Sequence, residues 1–307
     1  MARSLRSVAA AMVVGLGVLA LPGAAAAFSP VPATHVVPVR SPDGVTFIAY
    51  EWGSPDGRPI VFVHGSYQSA LSWSHQVSDP ALAARYRLIA IDLRGQGASD
   101  KPDGVEYYRE GQRWANDLSS LFDTLKLTKP VVVSWSYGAR VINDYLVANG
   151  DARLGGLVYV GARSTSALPG EQPDPVVVEA SRNLASEDPM IFMKGTRQFL
   201  LASFETPPPP DEADALTLAS MQTPLYVRRQ LARRPLAYVE ALKSIRVPTL
   251  VVQGDKDRVV PQAIGAFTHS LIPESRYSLY AGSGHSTFAE DPARFNAELD
   301  AFVAALP

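Results

Sequence analysis

The segment Val131–Gly138 constrains this chain more than any other. It reads Val-Val-Val-Ser-Trp-Ser-Tyr-Gly, a β-branched run that suits a buried strand and ends on a serine among small residues. Directly after it, Val141, Ile142, Tyr145 and Leu146 fall at helical spacing. A strand that turns straight into a helix with a serine at the corner is the arrangement known as a nucleophile elbow. The tight corner lifts Oγ of Ser136 clear of the sheet, and the helix N-terminus that follows favours negative charge developing nearby. Two residues before the corner, where glycine is usual, stands Ser134, which is small enough to fit. Taken alone, the segment also fits a β–α turn that merely contains serines.

The rest of the chain supports a large α/β fold. Its 307 residues are 47% hydrophobic, which is ample for a buried core. The formal net charge of −2, with both signs dispersed, argues against a nucleic-acid partner, which calls for a basic face. No cysteine is present, so disulfides, thiol nucleophiles and zinc–thiolate sites are excluded. At the start, Arg3 and Arg6 precede an apolar stretch from Val8 to Leu21, then Pro22, Gly23 and the run Ala24 to Ala27. That order reads as a secretory signal over residues 1–27, cleaved near Ala27, and predicts a periplasmic or secreted protein. The apolar stretch is short and broken by Gly15, Gly17 and Pro22, so no stable membrane insertion is expected after cleavage.

Beyond residue 28, β-branched runs alternate with helical patterns. Strands are predicted over His35–Val39, Val45–Glu51, Ile60–Val63, Arg87–Ile91, Val131–Ser134, Leu157–Val160, Thr249–Gln253 and Arg276–Tyr280. The first two form an antiparallel start across the turn at Ser41 to Gly44, and the later ones are apolar throughout, as in a parallel sheet buried on both faces. Helical stripes lie between, one of them Trp114, Leu118, Leu121, Phe122 and Leu125, another Phe295, Leu299, Phe302 and Val303. The expectation is an α/β fold with a mostly parallel sheet flanked by helices, its core built from residues 28–163 and 245–307. Residues 164–244 contain no convincing strand, and Phe192, Met193, Phe199, Leu200 and Leu201 there need burial, so this stretch reads as an inserted helical cap.

Serine catalysis requires a base and an acid that orients it. Of five histidines, His285 sits in Ala281-Gly282-Ser283-Gly284-His285, directly after the last predicted strand, at the sheet edge where the Ser136 strand also ends. Asp257 follows the strand Thr249–Gln253, with Asp255 beside Gly254 as a rival better suited to forming the turn. Backbone donors for an oxyanion are expected from Tyr137 N–H, next to the nucleophile, and from Ser66 N–H in the loop Val63-His64-Gly65-Ser66. His64 itself reads as a structural residue of that loop. Activity should need neutral His285 and so fall on acidification towards about pH 6.

His64-Gly65, Asp92-Leu93-Arg94-Gly95-Gln96-Gly97-Ala98-Ser99, the elbow at Ser136, Gly254-x-x-Asp257 and Gly284-His285, in that order, resemble the α/β-hydrolase superfamily over nearly all of the mature chain. His64-Gly65 with Ser69 and Trp73 also resembles its cofactor-free haloperoxidase and arylesterase branch. A serine at the elbow argues against haloalkane dehalogenases and epoxide hydrolases, which attack with a carboxylate. The resemblance implies the α/β-hydrolase fold and a serine hydrolase of small to medium carboxylic esters, working through an acyl-enzyme without a cofactor. The same residues would serve a lactonase, a perhydrolase or a carbon–carbon bond hydrolase, and the scaffold could carry a ligand-binding receptor.

Other features have plainer readings. The Asp92–Ser99 stretch is expected to be a structural loop with Arg94 paired internally. Arg228, Arg229, Arg233 and Arg234 read as a solvated helix face. Trp73 and Trp135 are offered as pocket walls, with packing as the alternative for Trp135. Neither a phosphate loop nor metal-ligand spacing is present.

Overall fold

The central β-strands are continuous apolar runs because both of their faces are covered. In the computed structural model, which describes residues 28–165, 168 and 172–307, eight strands form one sheet. They are β1 (His35–Arg40), β2 (Thr46–Gly53), β3 (Arg58–Val63), β4 (Tyr86–Asp92), β5 (Val131–Trp135), β6 (Gly156–Val160), β7 (Thr249–Gly254) and β8 (Arg276–Tyr280). The order is β1-β2-β4-β3-β5-β6-β7-β8, with β1–β2 and β2–β4 antiparallel and the other pairs parallel. This is the α/β-hydrolase fold expected from the sequence, and every predicted strand is present within a residue or two of its expected ends.

Alternation along the strands divides the core between the two faces. Ile60 and Phe62 of β3 join Leu88, Ala90, Val131, Val133 and Trp135 on one face. Val61 and Val63 join Ile89, Ile91 and Val132 on the other. The longer helices begin with α1 (Gly111–Thr124) and α2 (Gly138–Asn149). Between β6 and β7 lie α3 (Pro175–Asn183), α4 (Pro189–Ala202), α5 (Pro210–Met221), α6 (Leu225–Leu231) and α7 (Val239–Lys243), and the chain closes with α8 (Gln262–Leu271) and α9 (Pro292–Ala304). An Asp-Pro step opens α3, α4 and α9: the carboxylates of Asp174, Asp188 and Asp291 accept from first-turn N–H groups, and the proline occupies a position that needs no donor.

The helices between β6 and β7 touch loops that leave the C-terminal ends of the strands. Tyr226 Oη donates to Lys101 O after β4, and Ser286 N–H after β8 donates to Ser203 O. Arg94 is fully buried and paired internally, as expected. It grips Asp117 through Nε and Nη2, both at 2.6 Å, and reaches Asp43 at 2.8 Å. The proposed leader, residues 1–27, lies outside the described residues. Among the described residues no helix is long and apolar enough to cross a membrane.

Candidate active site

β5 ends at Trp135 and α2 begins at Gly138, leaving Ser136 at the corner. Its φ of 53° lies in the left-handed region, which is strained for a residue bearing a Cβ, by about 1–3 kcal/mol. The corner is held by Ser136 N–H donating to Val160 O at 2.9 Å and by Ala139 N–H donating to Ser136 O at 3.1 Å. Ser134 fits two residues earlier because its buried hydroxyl donates to Val158 O on β6 at 3.3 Å. A serine there therefore leaves no orphaned polar group.

His285 and Asp257 meet across two loops. His285 Nδ1 lies 2.7 Å from Asp257 Oδ2, and both side chains are almost wholly buried. The carboxylate accepts further from Gln253 Nε2 at 2.9 Å, Val259 N–H at 2.8 Å and Val260 N–H at 2.7 Å. An acceptor opposite Nδ1 puts the imidazole proton there and leaves Nε2 as the basic nitrogen. The ring lies against Gly161 at the end of β6, where a Cβ would come within 2.8 Å of Nδ1. Trp135, next to Ser136, donates its indole N–H to His285 O at 3.0 Å. The elbow strand thus anchors the histidine loop. Asp255, the rival acid, instead accepts from Gly282 N–H at 2.7 Å within the turn.

The two expected oxyanion donors lie on either side of the β3–β5 seam. Among the described residues, neither Ser66 N–H nor Tyr137 N–H donates to a protein acceptor. The Ser66 loop is held by His64, which is fully buried. Its Nε2 accepts from Leu93 N–H at 3.0 Å, so Nδ1 carries the proton and donates to Gly65 O at 2.7 Å. Burial keeps this imidazole below the usual histidine value, and hence neutral. Gly65 packs on the Trp135 ring, where a Cβ would stand 2.9 Å from Cε3. Tyr67, two residues on, is also left-handed at φ 61°, with its N–H donating to Gln96 Oε1 at 2.5 Å.

Two expectations about aromatic residues need correction. Trp73 is fully buried between Phe62 and Phe288, with ring centroids 5.0 and 4.3 Å away, so it belongs to the core and walls no pocket. Trp135 is buried against His285 and Phe288 and supports the site from within. The arginine cluster also departs from the solvated face. Arg229 and Arg233 are exposed, but Arg228 and Arg234 are buried. Arg234 pairs with Asp144 and donates to Tyr137 Oη at 3.0 Å. Arg228 lies between the Tyr67 and Phe192 rings, 4.6 Å from each centroid.

Glu290 escapes a reading by motif. Its carboxylate accepts from Gly284 N–H at 2.9 Å, next to His285, and from Glu205 and Thr206 N–H, each at 3.0 Å, in the segment between α4 and α5. No sequence signal marks Glu290. Arg228 could have been placed inward, because it sits next to Val227 and three residues before Leu231 on one apolar side of a short helix. Among the described residues no cluster of histidine, aspartate or glutamate side chains is placed to hold a metal ion.

Residues 60–298 match the model of the alpha/beta hydrolase family. The non-heme chloroperoxidase CPO-A1 of Kitasatospora aureofaciens is 31% identical over 276 residues, covering 85% of this chain and 97% of its own. A protein of Burkholderia cenocepacia, solved as a candidate aryl esterase, superposes with a TM-score of 0.83 at 36% identity, covering 88% of this chain and 98% of its own. Esterase RhEst1 from Rhodococcus sp. gives a TM-score of 0.82 at 34% identity, covering 89% and 99%.

Proposed function

The chain belongs to the alpha/beta hydrolase family, and from that premise we propose that it is a serine hydrolase of small to medium carboxylic esters. The observation that carries the reading is the 2.7 Å contact between His285 Nδ1 and Asp257 Oδ2, on a loop tied by Trp135 to the strand that leads into Ser136. In the proposed reaction His285 Nε2 takes the Ser136 proton as Oγ attacks the ester carbonyl. The tetrahedral oxyanion sits between Ser66 and Tyr137 N–H. The imidazolium gives its proton to the departing alcohol, leaving an acyl-serine. Water, deprotonated by the same nitrogen, then releases the acid and restores the serine. Loss of one oxyanion donor in such a site costs about 10²–10³ in rate. The resemblance to esterases of known structure supports the substrate class.

The test is direct. A fluorophosphonate should label Ser136, and Ser136→Ala should lose both labelling and hydrolysis of 4-nitrophenyl acetate while keeping its circular dichroism spectrum. Undiminished turnover in the variant would refute the assignment. A second reading draws on the 31% identity to a non-heme chloroperoxidase. Here hydrogen peroxide replaces water in deacylation and the product is a peracid. Peracid formed from acetate and peroxide by the wild type, and not by Ser136→Ala, would support it.

We place the mature protein in the periplasm or outside the cell. The leader-like segment 1–27 supports this, and so does Phe28, whose N–H faces the Asp211 carboxylate. Cleavage after Ala27 would turn that amide into an ammonium opposite a carboxylate. N-terminal sequencing of exported protein should begin at Phe28.

A further inference from the structure

Gln253 is a polar residue where its strand calls for an apolar one. It stands on β7 in the run Thr-Leu-Val-Val-Gln-Gly and is fully buried. Its Nε2 donates to Asp257 Oδ2 at 2.9 Å and to Val260 O at 3.0 Å, with a longer contact to Gly254 O at 3.3 Å. Three oxygens converge on that one nitrogen, so the amide cannot turn over without setting Oε1 against all of them. Among the described residues Oε1 itself has no hydrogen-bond partner, although it is buried. An orphaned buried acceptor costs stability, and each one calls for an explanation.

A second residue makes room for the same amide. Gly265 lies inside α8, where glycine weakens a helix relative to alanine. A Cβ there would stand 2.5 Å from Gln253 Oε1 and 2.9 Å from its Cγ. Closing the turn from Gly254 to Val260 explains the two carbonyl contacts of Nε2. It does not explain the third, because Asp257 Oδ2 is the same oxygen that faces His285 Nδ1 at 2.7 Å. The other oxygen, Oδ1, is already held by Val259 and Val260 N–H. The remaining ionisable groups on the adjoining loops are engaged elsewhere or face outward. Asp255 accepts from Gly282 N–H, Glu290 from Gly284 N–H, Arg163 reaches Val259 O at 3.5 Å, Arg258 pairs with Glu205 at 3.7 Å, and Lys256 is exposed.

We propose that Gln253 is a positioning residue for the hydrolase reaction: its amide fixes Asp257 Oδ2 opposite His285 Nδ1 and, by sharing that oxygen, weakens its hold on the imidazolium. The inference rests on the serine hydrolase reading, since it names what regulates the base of that same site. Removing the amide would leave Oδ2 to His285 alone. The carboxylate would then attract the imidazolium more strongly, and the ring would keep its proton to a higher pH. The carboxylate would also be held on one oxygen only by the loop, so the imidazole it orients would be less well aimed at Ser136.

The experiment compares wild type with Gln253→Met, which keeps the length of the side chain but has no donor, and with Gly265→Ala, which crowds the amide from behind. Hydrolysis of 4-nitrophenyl acetate is followed across pH, with urea unfolding and fluorophosphonate labelling alongside. In Gln253→Met the acidic limb of kcat/KM should move up by about 0.5–1 pH unit, and kcat on the plateau should fall about tenfold. Gly265→Ala should move the limb the same way and by less, even though alanine favours the helix. A glutamine that only closed the turn would leave the limb where it is in both variants. NMR gives a readout independent of turnover. The His285 ring signals should titrate higher in Gln253→Met by the same amount, and in the wild type the Gln253 side-chain amide signal should follow the His285 titration. A folded Gln253→Met whose acidic limb and His285 ring signals are unmoved or displaced downward would overturn the inference. So would a wild-type amide signal indifferent to that titration, whether or not the variant folds. If the wild type neither takes the fluorophosphonate nor turns over, the hydrolase reading falls, while matched titrations would sustain the coupling of Gln253, Asp257 and His285 without it.

Discussion

Replacing Asp257 by asparagine separates the positioning of His285 from the integrity of its loop. The Asp257 carboxylate accepts from Val259 and Val260 N–H on one oxygen, and from Gln253 Nε2 and His285 Nδ1 on the other. An asparagine has one acceptor and one donor end, so one side must change. Turning the amide nitrogen towards the two backbone N–H groups would forfeit both bonds, at about 1–3 kcal/mol each. Turning it towards Gln253 and His285 forfeits one, provided the imidazole moves its proton from Nδ1 to Nε2. The second arrangement wins by about 1–3 kcal/mol. It leaves His285 presenting a donor where the reaction needs an acceptor. The expected loss in kcat is then about 10⁴, or about 5.5 kcal/mol, with the fold retained. The assay is 4-nitrophenyl acetate hydrolysis with circular dichroism and fluorophosphonate labelling alongside. Asp255→Asn is the matched control: among the described residues the Asp255 carboxylate accepts from Gly282 N–H within its turn and not from the His285 ring, so its activity should stay within about twofold of wild type. An Asp257→Asn enzyme within about tenfold of wild type would refute the tautomer argument.

Three further outcomes follow from the same contacts. Glu290→Gln keeps one acceptor for three N–H donors and lets the Gly284–His285 segment drift, so kcat should drop about ten- to a hundredfold with secondary structure intact; an unchanged kcat would count against that role. Because burial lowers His64 in the folded protein while the unfolded chain still takes up a proton near pH 6.5, stability should be lost as pH falls below about 6.5, at up to about 1.4 kcal/mol per unit until the folded value is reached. Urea midpoints at about pH 7.5 and about pH 5.5 should therefore differ less in His64→Gln than in wild type, and equal differences would exclude His64 as the source. Arg94→Met leaves Asp117 buried without its cation and should cost about 3–5 kcal/mol in urea unfolding, whereas a loss under about 1 kcal/mol would mean the network contributes little.

What could be read from the chain follows the range of the forces involved. The strands were legible because a central parallel strand is buried on both sides, and Val131–Val133 or Thr249–Gln253 show it in five residues or fewer. Their ends shift by a residue or two because hydrogen bonding to a neighbour, as between Trp135 and Val160, decides where a strand stops. Asp257 and His285 could be nominated because each directly follows a strand on one sheet edge, yet their contact spans 28 residues and only the fold makes it. Arg228 and Trp73 were misread for one reason: charge and size give a preference for surface or pocket, and a particular set of neighbours overrides it. Glu290 was illegible, since its partners are backbone N–H groups of two segments, one of them more than eighty residues away, and a backbone donor leaves no mark on the sequence.

The same two segments limit how this protein could diversify. Insertions between β6 and β7 are natural places to retune what an enzyme of this fold accepts, if the inserted helices behave as a detachable module. Here they do not. Glu205 and Thr206 N–H, and the carbonyl of Ser203, are bonded into the stretch that carries His285. A chimera that imports a relative's helices would import a different set of backbone donors at this junction. It should lose rate on every ester alike before it gains a new preference, and recovery should begin with changes at the junction, ahead of any in the pocket.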